Sequence, residues 1–228
     1  MTRINALVIG ENTFPFHALD EMAPHINAVL SDVADAELTT DRTRLEDLSG
    51  YDIVVDYLTD STLTDEQYAS LQSFVADGGG YLGIHCAADL TSTSDGNGGI
   101  KTREEPIPEL RELLRGHFVD HPEQSMFGVD LRNGDHPVTA NVADFEVFDE
   151  PYQVDFDNEE VHVLAWMDHP DLDRNPVVWV REYGDGRVCY SSLGHTVDAF
   201  EHEQHGRLLR NAVRWIADAQ NGQNIDTP

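Results

Sequence analysis

Basic residues are scarce in this chain. Only 14 lysines and arginines stand against 43 aspartates and glutamates, Lys101 is the single lysine, and the formal net charge is −29 at pH 7. A surface of this charge repels phosphate backbones and anionic lipids, so nucleic acids and membranes are poor candidates for partners. Because 40% of the residues are hydrophobic, a packed fold is favoured over acidic disorder. We therefore expect a halophilic protein whose self-repulsion is screened by concentrated salt.

Cysteines and long apolar runs are also few. Two cysteines, Cys86 and Cys189, cannot form a disulfide framework and suit a reducing, cytoplasmic location. No apolar run approaches the length of a membrane span, and a strand that begins at Ile4 leaves no room for a signal peptide. We expect a cytoplasmic protein with a single domain over residues 1–220 and a flexible tail over 221–228.

Strands and helices alternate through the first half of the chain. Apolar spacing predicts strands at 4–9, 36–39 and 51–58 and a further short strand within 78–90, with helices at 17–30 and 65–78. Thr64 and Gln67 form a capping box at the start of the second helix. This alternation favours a three-layer, doubly wound α/β fold with a mainly parallel sheet and helices on both faces.

The second half is richer in strands. Strands are predicted at 126–131, 161–167, 177–182 and 187–192, and the glycine-rich turn at 183–187 predicts a hairpin between the last two. An amphipathic helix over 203–217 closes the domain. The polar stretch 91–99 is interpreted as a flexible loop, and it is a candidate lid.

The stretch from Gly78 to Leu90 runs from a glycine-flanked apolar strand directly into small residues. Such a pattern is typical of a sharp strand-to-helix turn that exposes one side chain at its apex. The segment Gly83-Ile84-His85-Cys86-Ala87 resembles the nucleophile elbow of class I glutamine amidotransferase-like proteins, Gly-x-Cys-x-Gly. The apex position here holds His85, and Cys86 is interpreted as a small core residue.

Ligands of open α/β sheets bind beyond the carboxyl ends of the strands. Asn12 follows the first strand, His85 follows the elbow strand and His195 follows the last strand, so we expect these residues to meet at one edge. His121 and His136 each precede a proline, where a turn-forming role is an equally good reading.

Seven motifs in order carry a family resemblance. They are the elbow Gly-Ile-His-Cys-Ala-Ala-Asp, Phe118 to Pro122, Asp135 to Thr139, Asp149-Glu150-x-Tyr152, Pro176 to Trp179, Tyr183-Gly-x-Gly-Arg187-Val and Ser192-Leu-Gly-His195. Together they resemble the ThuA-like (trehalose utilisation) family. The resemblance implies a flavodoxin-like, glutamine amidotransferase-like fold and a role in sugar catabolism, with oxidised (3-keto) disaccharides as the substrate class.

Roles for the site residues follow from the strand-end rule and this resemblance together. We predict catalytic roles for His85, His195 and Glu150. Residues predicted to contact the sugar are His121, Tyr152, Asn12, Asp89 and His136. The set His85, His121, His195 and Glu150 also has the ligand types of a divalent metal site, although no cofactor is required by the sequence.

The sequence is compatible with several functions. The site supports acid–base or metal-assisted chemistry on a keto-sugar, as in a lyase, hydrolase or isomerase. The alternative is a non-catalytic sugar-binding or sensor protein with the same pocket. A glutaminase is disfavoured because histidine occupies the elbow apex, and no phosphate-binding glycine motif indicates a nucleotide. A small-molecule sugar is the expected partner, and a homo-oligomer is compatible with the sequence.

Overall fold

The computed structural model describes residues 3–132 and 135–219. The predicted tail, 221–228, lies outside the described residues. Within them, the strands are β1 Ile4–Gly10, β2 Ala34–Thr39, β3 Ile53–Tyr57, β4 Gly80–Ile84, β5 Ser92–Ser94, β6 Ile100–Thr102, β7 Gly116–Asp120, β8 Ser125–Leu131, β9 Phe145–Asp149, β10 Gln153–Phe156, β11 His162–Asp168, β12 Pro176–Tyr183 and β13 Gly186–Ser191. The helices are α1 Leu19–Leu30, α2 Asp65–Ala76, α3 Pro108–Leu114, α4 Val197–Glu201 and α5 Glu203–Ala217.

Nine of these strands form one sheet in the order β2-β1-β3-β4-β13-β12-β11-β8-β9. The first five are parallel to one another, whereas the last four pair antiparallel. The strand β13 therefore returns from the far half of the chain to lie beside the elbow strand β4. This pairing brings the loop after β13 next to His85.

Helices cover both faces of the sheet, as a doubly wound fold requires. Apolar residues of α1, α4 and α5 pack on one face, while those of α2 and α3 pack on the other. The three-layer α/β fold predicted from the sequence is confirmed. No helix in the described ranges combines the length and apolar character needed to cross a membrane.

Most predicted elements appear with boundaries shifted by only a few residues. The capping box of Thr64 and Gln67 forms at the start of α2, and α5 spans the predicted residues. The stretch 91–99 differs from its prediction as a flexible loop, because β5 within it pairs with β6 in a small hairpin. The hydroxyl of Thr93 and the backbone N–H of Ser94 in this hairpin donate to the buried carboxylate of Asp60, which holds the hairpin in place.

Candidate functional site

The carboxyl ends of β1, β3, β4, β9 and β13 converge at one edge of the sheet. His85 is the first residue after β4, and its backbone turns there with a φ of 45°. A non-glycine residue in this region is strained, and such strain clusters at functional sites. The prediction of an exposed apex is wrong, however, because the side chain of His85 is fully buried. It points into the molecule, towards the loop that follows β13.

His195 lies in that loop and is held from two sides. Its backbone N–H and those of Gly194 and Thr196 donate to the carboxylate of Asp149, the last residue of β9. The hydroxyl of Tyr57 donates to the carbonyl oxygen of Gly194 at 2.8 Å. These bonds fix the backbone that carries His195.

Four side chains meet at the centre of this edge: His17, His85, Glu150 and His195. One ligand atom from each lies within 4.8 Å of the other three. Nδ1 of His195 is 2.7 Å from Nε2 of His17 and 3.0 Å from Oε2 of Glu150. Nε2 of His85 is 3.4 Å from the same carboxylate oxygen. The structure therefore brings together the three residues for which a catalytic role is predicted and adds a fourth.

Hydrogen bonds behind the rings decide which nitrogen faces the centre. Nδ1 of His85 lies 2.7 Å from the carbonyl oxygen of Ser192, which can only accept, so Nδ1 carries the proton. Nε2 of His85 is then unprotonated and carries a lone pair, and this nitrogen is buried without a hydrogen-bond partner. Nδ1 of His17 is bonded to the hydroxyl of Thr59 at 2.9 Å. Outward bonds of this kind are the usual means of orienting metal-binding histidines.

Burial and mutual charge set the protonation of the cluster. Burial, reinforced by His85 and His195, lowers the pKa of His17 well below its ordinary value, so that its imidazole is neutral. Burial alone would raise the pKa of Glu150, but the neighbouring imidazoles of His195 and His85 outweigh this and hold the pKa well below its usual range. The centre thus contains an ionised carboxylate among imidazoles.

This donor set fits a divalent cation. Zinc binds imidazole nitrogen and carboxylate oxygen at about 2.0–2.2 Å in a tetrahedral arrangement, which puts neighbouring ligand atoms about 3.3–3.6 Å apart. Of the distances within the cluster, 3.4 Å matches that separation, whereas 3.0 and 2.7 Å are shorter and would lengthen slightly around a bound ion. The unpartnered Nε2 of His85 is the kind of buried polar atom that a metal would satisfy. His17, His85, Glu150 and His195 are therefore the residues that would hold the ion.

His121 and Tyr152 lie beside the cluster. Nε2 of His121 is 3.7 Å from Oε2 of Glu150, and its side chain is 37% exposed, so His121 occupies the rim. Tyr152 is buried, with its ring 4.0 Å from that of His85 and 5.8 Å from that of His121. Phe118 packs on the ring of Tyr152 at 4.4 Å and extends this aromatic wall.

Three residues predicted to contact the sugar make hydrogen bonds or ring contacts with groups outside the cluster. The Asn12 side chain accepts from the N–H of Asp20 near the start of α1. The carboxylate of Asp89 accepts from the N–H of Ser92 and shapes the turn into β5. His136 packs against Trp215, near the amino end of β13, at the opposite edge of the sheet.

The contacts of His136 fit the turn-forming role. Its Nδ1 accepts from the N–H of Val138 and caps the short helical turn that begins at Pro137. The pattern of a histidine followed by a proline is the same for a residue that contacts a ligand and for one that forms a turn. Only the position of the histidine in the fold distinguishes the two roles.

His17 is a site residue that the sequence does not predict, because helical spacing continues back to it and places it in the first turn of α1. In the structure it precedes the helix, with a φ of 54°, on the loop that leaves the carboxyl end of β1. The strand-end rule covers this loop. Its aromatic segment Phe14-Pro15-Phe16-His17 is the signal that could have indicated the residue.

The buried Cys86 next to the apex is not a nucleophile. Burial raises the pKa of its thiol well above the ordinary value, and the thiol is therefore protonated at neutral pH. Cysteine chemistry of the amidotransferase type needs a thiolate, which this site does not provide.

One family model matches nearly the whole of the chain. The model of the ThuA family, described as trehalose utilisation, matches residues 5–216. No curated protein matches the chain.

Solved structures share the fold. A protein from Bacteroides uniformis described as ThuA-like superposes with a TM-score of 0.73 at 24% identity, covering 94% of this chain and 91% of that one. A ThuA-like protein from Parabacteroides merdae gives a TM-score of 0.72 at 17% identity, covering 95% and 90%. A β-galactosidase from Rahnella sp. R3 gives a TM-score of 0.70 at 15% identity, covering 94% of this chain but only 31% of the enzyme.

Proposed function

Because the chain belongs to the ThuA family of trehalose utilisation, we propose that it converts an oxidised trehalose-type disaccharide at a divalent metal held by the His/Glu cluster. One observation carries the proposal: four ligand atoms, from His17, His85, Glu150 and His195, gather within 4.8 Å at the edge where α/β folds place their ligands. A keto-sugar offers the carbonyl oxygen that such a centre can polarise.

A keto group at C3 of a glycoside makes two features of the sugar reactive. The proton on C2 becomes acidic, and the glycosidic oxygen on C1 stands in the β position to the carbonyl. When bound, the metal supplies a Lewis acid for the carbonyl oxygen. A base that removes the C2 proton then allows the C1–O bond to break, and the departing oxygen takes a proton.

His121 has the placement of that base. Its Nδ1 donates to the carbonyl oxygen of Pro122 at 2.8 Å, so its Nε2 carries a lone pair. That nitrogen faces the cluster from the rim, 3.7 Å from Glu150. His85 and His195 are metal ligands in this scheme, so they are not available as the base. The ring of His121 is exposed and can exchange its proton with solvent.

Aromatic side chains beside the cluster suit a sugar. Partly exposed Phe118 packs on the buried ring of Tyr152, next to His85 and His121. Partly exposed Phe16 stands beside His17, with ring centroids 5.1 Å apart. Aromatic surfaces bind the apolar faces of pyranose rings, while the imidazoles and carboxylate offer hydrogen bonds to hydroxyls.

The test is turnover of 3-keto-trehalose by chelator-treated protein before and after reloading with a divalent metal. We expect reloading to restore release of glucose. His195→Ala should lose both metal and turnover. His121→Gln should keep the metal but lose about 10²–10⁴-fold in kcat, as expected for removal of a general base. His136→Ala, a histidine at the opposite edge, is the matched control and should leave both unchanged.

Two outcomes would reject this function. Equal turnover by the metal-free and reloaded proteins would show that the cluster is not a metal centre for the reaction. Tight binding of the keto-sugar without conversion under any metal would instead support the sugar-binding or sensor alternative.

A further inference from the structure

The carboxylate of Asp149 is fully buried and holds three consecutive backbone N–H groups. Those of Gly194, His195 and Thr196 donate to it at 2.7, 3.0 and 3.0 Å. Hydrogen bonds to an ionised acceptor are stronger and more directional than neutral ones. Three of them on successive residues leave the loop that carries His195 little freedom to shift.

The position of Asp149 links two site residues that are remote in sequence. Asp149 ends β9 and is followed at once by Glu150, whereas His195 lies in the loop after β13. The two strands are not neighbours in the sheet. Asp149 therefore binds the backbone of His195 while it is covalently joined to Glu150. In this arrangement Nδ1 of His195 lies 3.0 Å from Oε2 of Glu150.

We propose that Asp149 is a positioning residue that fixes His195 against Glu150 and so sets the affinity and geometry of the metal centre. The inference rests on the proposed function, because it takes the cluster to be the metal site. The hydrogen bonds of Asp149 to this loop go to backbone N–H groups and not to the ligand atoms of the centre, so Asp149 acts through the backbone of residues 194–196. Residues that orient metal ligands from behind typically change metal affinity by about 10–100-fold when they are replaced.

Replacement by asparagine tests this role with little change of volume. Asp149→Asn leaves one acceptor oxygen where the native carboxylate has two, and it aims an amide N–H₂ at backbone donors. Asp149→Ser is the second variant, since its hydroxyl and a water molecule can together fill the place of the carboxylate. Asp56→Asn is the matched control: Asp56 is also a buried aspartate near this edge, but it bonds the hydroxyl of Tyr81 and the N–H of Leu58.

The experiment measures binding of Co²⁺ to the metal-free full chain, together with the visible absorption spectrum of the bound ion. We expect Asp149→Asn and Asp149→Ser to bind Co²⁺ about 10–100-fold more weakly than the native chain, with a spectrum altered in the same direction as that of His195→Ala. Asp56→Asn should keep native affinity and spectrum even if its melting temperature falls. Melting temperatures of all variants separate loss of fold from loss of positioning.

The outcomes distinguish this inference from the proposed function. If native protein binds Co²⁺ and the Asp149 variants match it in affinity and spectrum, the positioning role is wrong while the metal site stands. If neither Asp149 variant folds, or if Asp56→Asn shows the same loss of affinity, Asp149 is only a structural residue. If the native chain binds no Co²⁺, the metal site itself is wrong and the inference falls with it.

Discussion

At the scale of single residues, backbone strain marks the site. His17 and His85 have φ values of 54° and 45°, and Gly194 has a φ of 132°. Non-glycine residues adopt such values only where the surrounding structure compels them, at a cost of about 1–3 kcal/mol each. Here the strain turns two imidazoles inwards, and Gly194 lets the loop of His195 approach the elbow closely.

Gly194 provides the residue-scale prediction. A Cβ at this position would stand 2.8 Å from Cγ2 of Ile84 and 3.5 Å from Cβ of His85. We expect Gly194→Ala to destabilise the fold by about 1–3 kcal/mol, because both the φ and the contact with Ile84 are unfavourable. The displaced loop should also weaken metal binding, which titration with Co²⁺ measures.

Gly98→Ala is the control for this variant. Gly98 also has a positive φ, of 85°, but a Cβ there meets nothing within 4 Å. It should cost stability from backbone strain alone and leave metal affinity as in the native chain. Equal effects of both variants on metal affinity would contradict the account of the loop.

The sequence could predict part of the site because strand ends have a fixed place in the fold. His85 and His195 follow adjacent strands, β4 and β13, so the strand-end rule was enough to bring them together. His17 was not identified because helical spacing continues back to it from α1, and only the backbone shows that it precedes the helix. The inward turn of His85 depends on its φ, for which the sequence has no clear signal.

At the scale of secondary structure elements, α5 carries a buried titratable group outside the site. His205 is fully buried in its first turn, where Nδ1 bonds the carbonyl oxygen of Ala199 and Nε2 bonds the hydroxyl of Ser191. Burial lowers the pKa of His205 from 6.5 to about 4. The unfolded chain therefore takes up the proton before the folded chain does as the pH falls.

This shift predicts a contribution to acid lability. The stability due to neutral His205 is complete above pH 6.5 and is lost as the pH falls towards about 4. A shift of this size corresponds to about 3 kcal/mol. We expect His205→Gln to lose less stability than the native chain between pH 7 and pH 4, as measured by urea unfolding at each pH.

Asp56 on β3 has a pKa that is shifted in the opposite direction, and it therefore serves as a control for the His205 variant. Burial raises its pKa from 3.8 to about 6, so its contribution to stability is complete below pH 3.8 and is lost as the pH rises through 6. Asp56→Asn should remove that loss and steepen the fall in stability on acidification. Parallel pH profiles for the two variants would show that these groups do not govern the pH dependence.

The sequence predicts the position of a secondary structure element well where the spacing of its apolar residues is regular. Helix α5 and strands β1, β3 and β12 carry regular apolar patterns and were located to within a few residues. Strands β7, β9 and β10 are not predicted by the sequence. In the described chain β7 and β10 pair with each other alone, and β9 is an edge strand of the large sheet. Segments of this kind owe their form to tertiary contacts, which local pattern does not contain.

At the scale of the whole molecule, the net charge of −29 dominates. Exposed carboxylates repel one another and oppose the compact state, and this repulsion falls as the Debye length shrinks to about 3 Å in 1 M salt. We expect the melting temperature to rise markedly from dilute buffer to molar potassium chloride. A non-ionic osmolyte at equal osmolality should have a smaller effect, and a flat response to the salt would contradict an adaptation to high salt.

The fold as a whole serves to bring four distant segments to one edge of the sheet, and the central claim is that they bind one metal ion. The most direct measurement is the metal content of zinc-loaded protein after dialysis, combined with X-ray absorption at the zinc edge. We expect one ion per chain bound by three imidazole nitrogens and a carboxylate oxygen, with one imidazole fewer in His17→Ala. No retained zinc, or an unchanged set of ligands in His17→Ala, would contradict it.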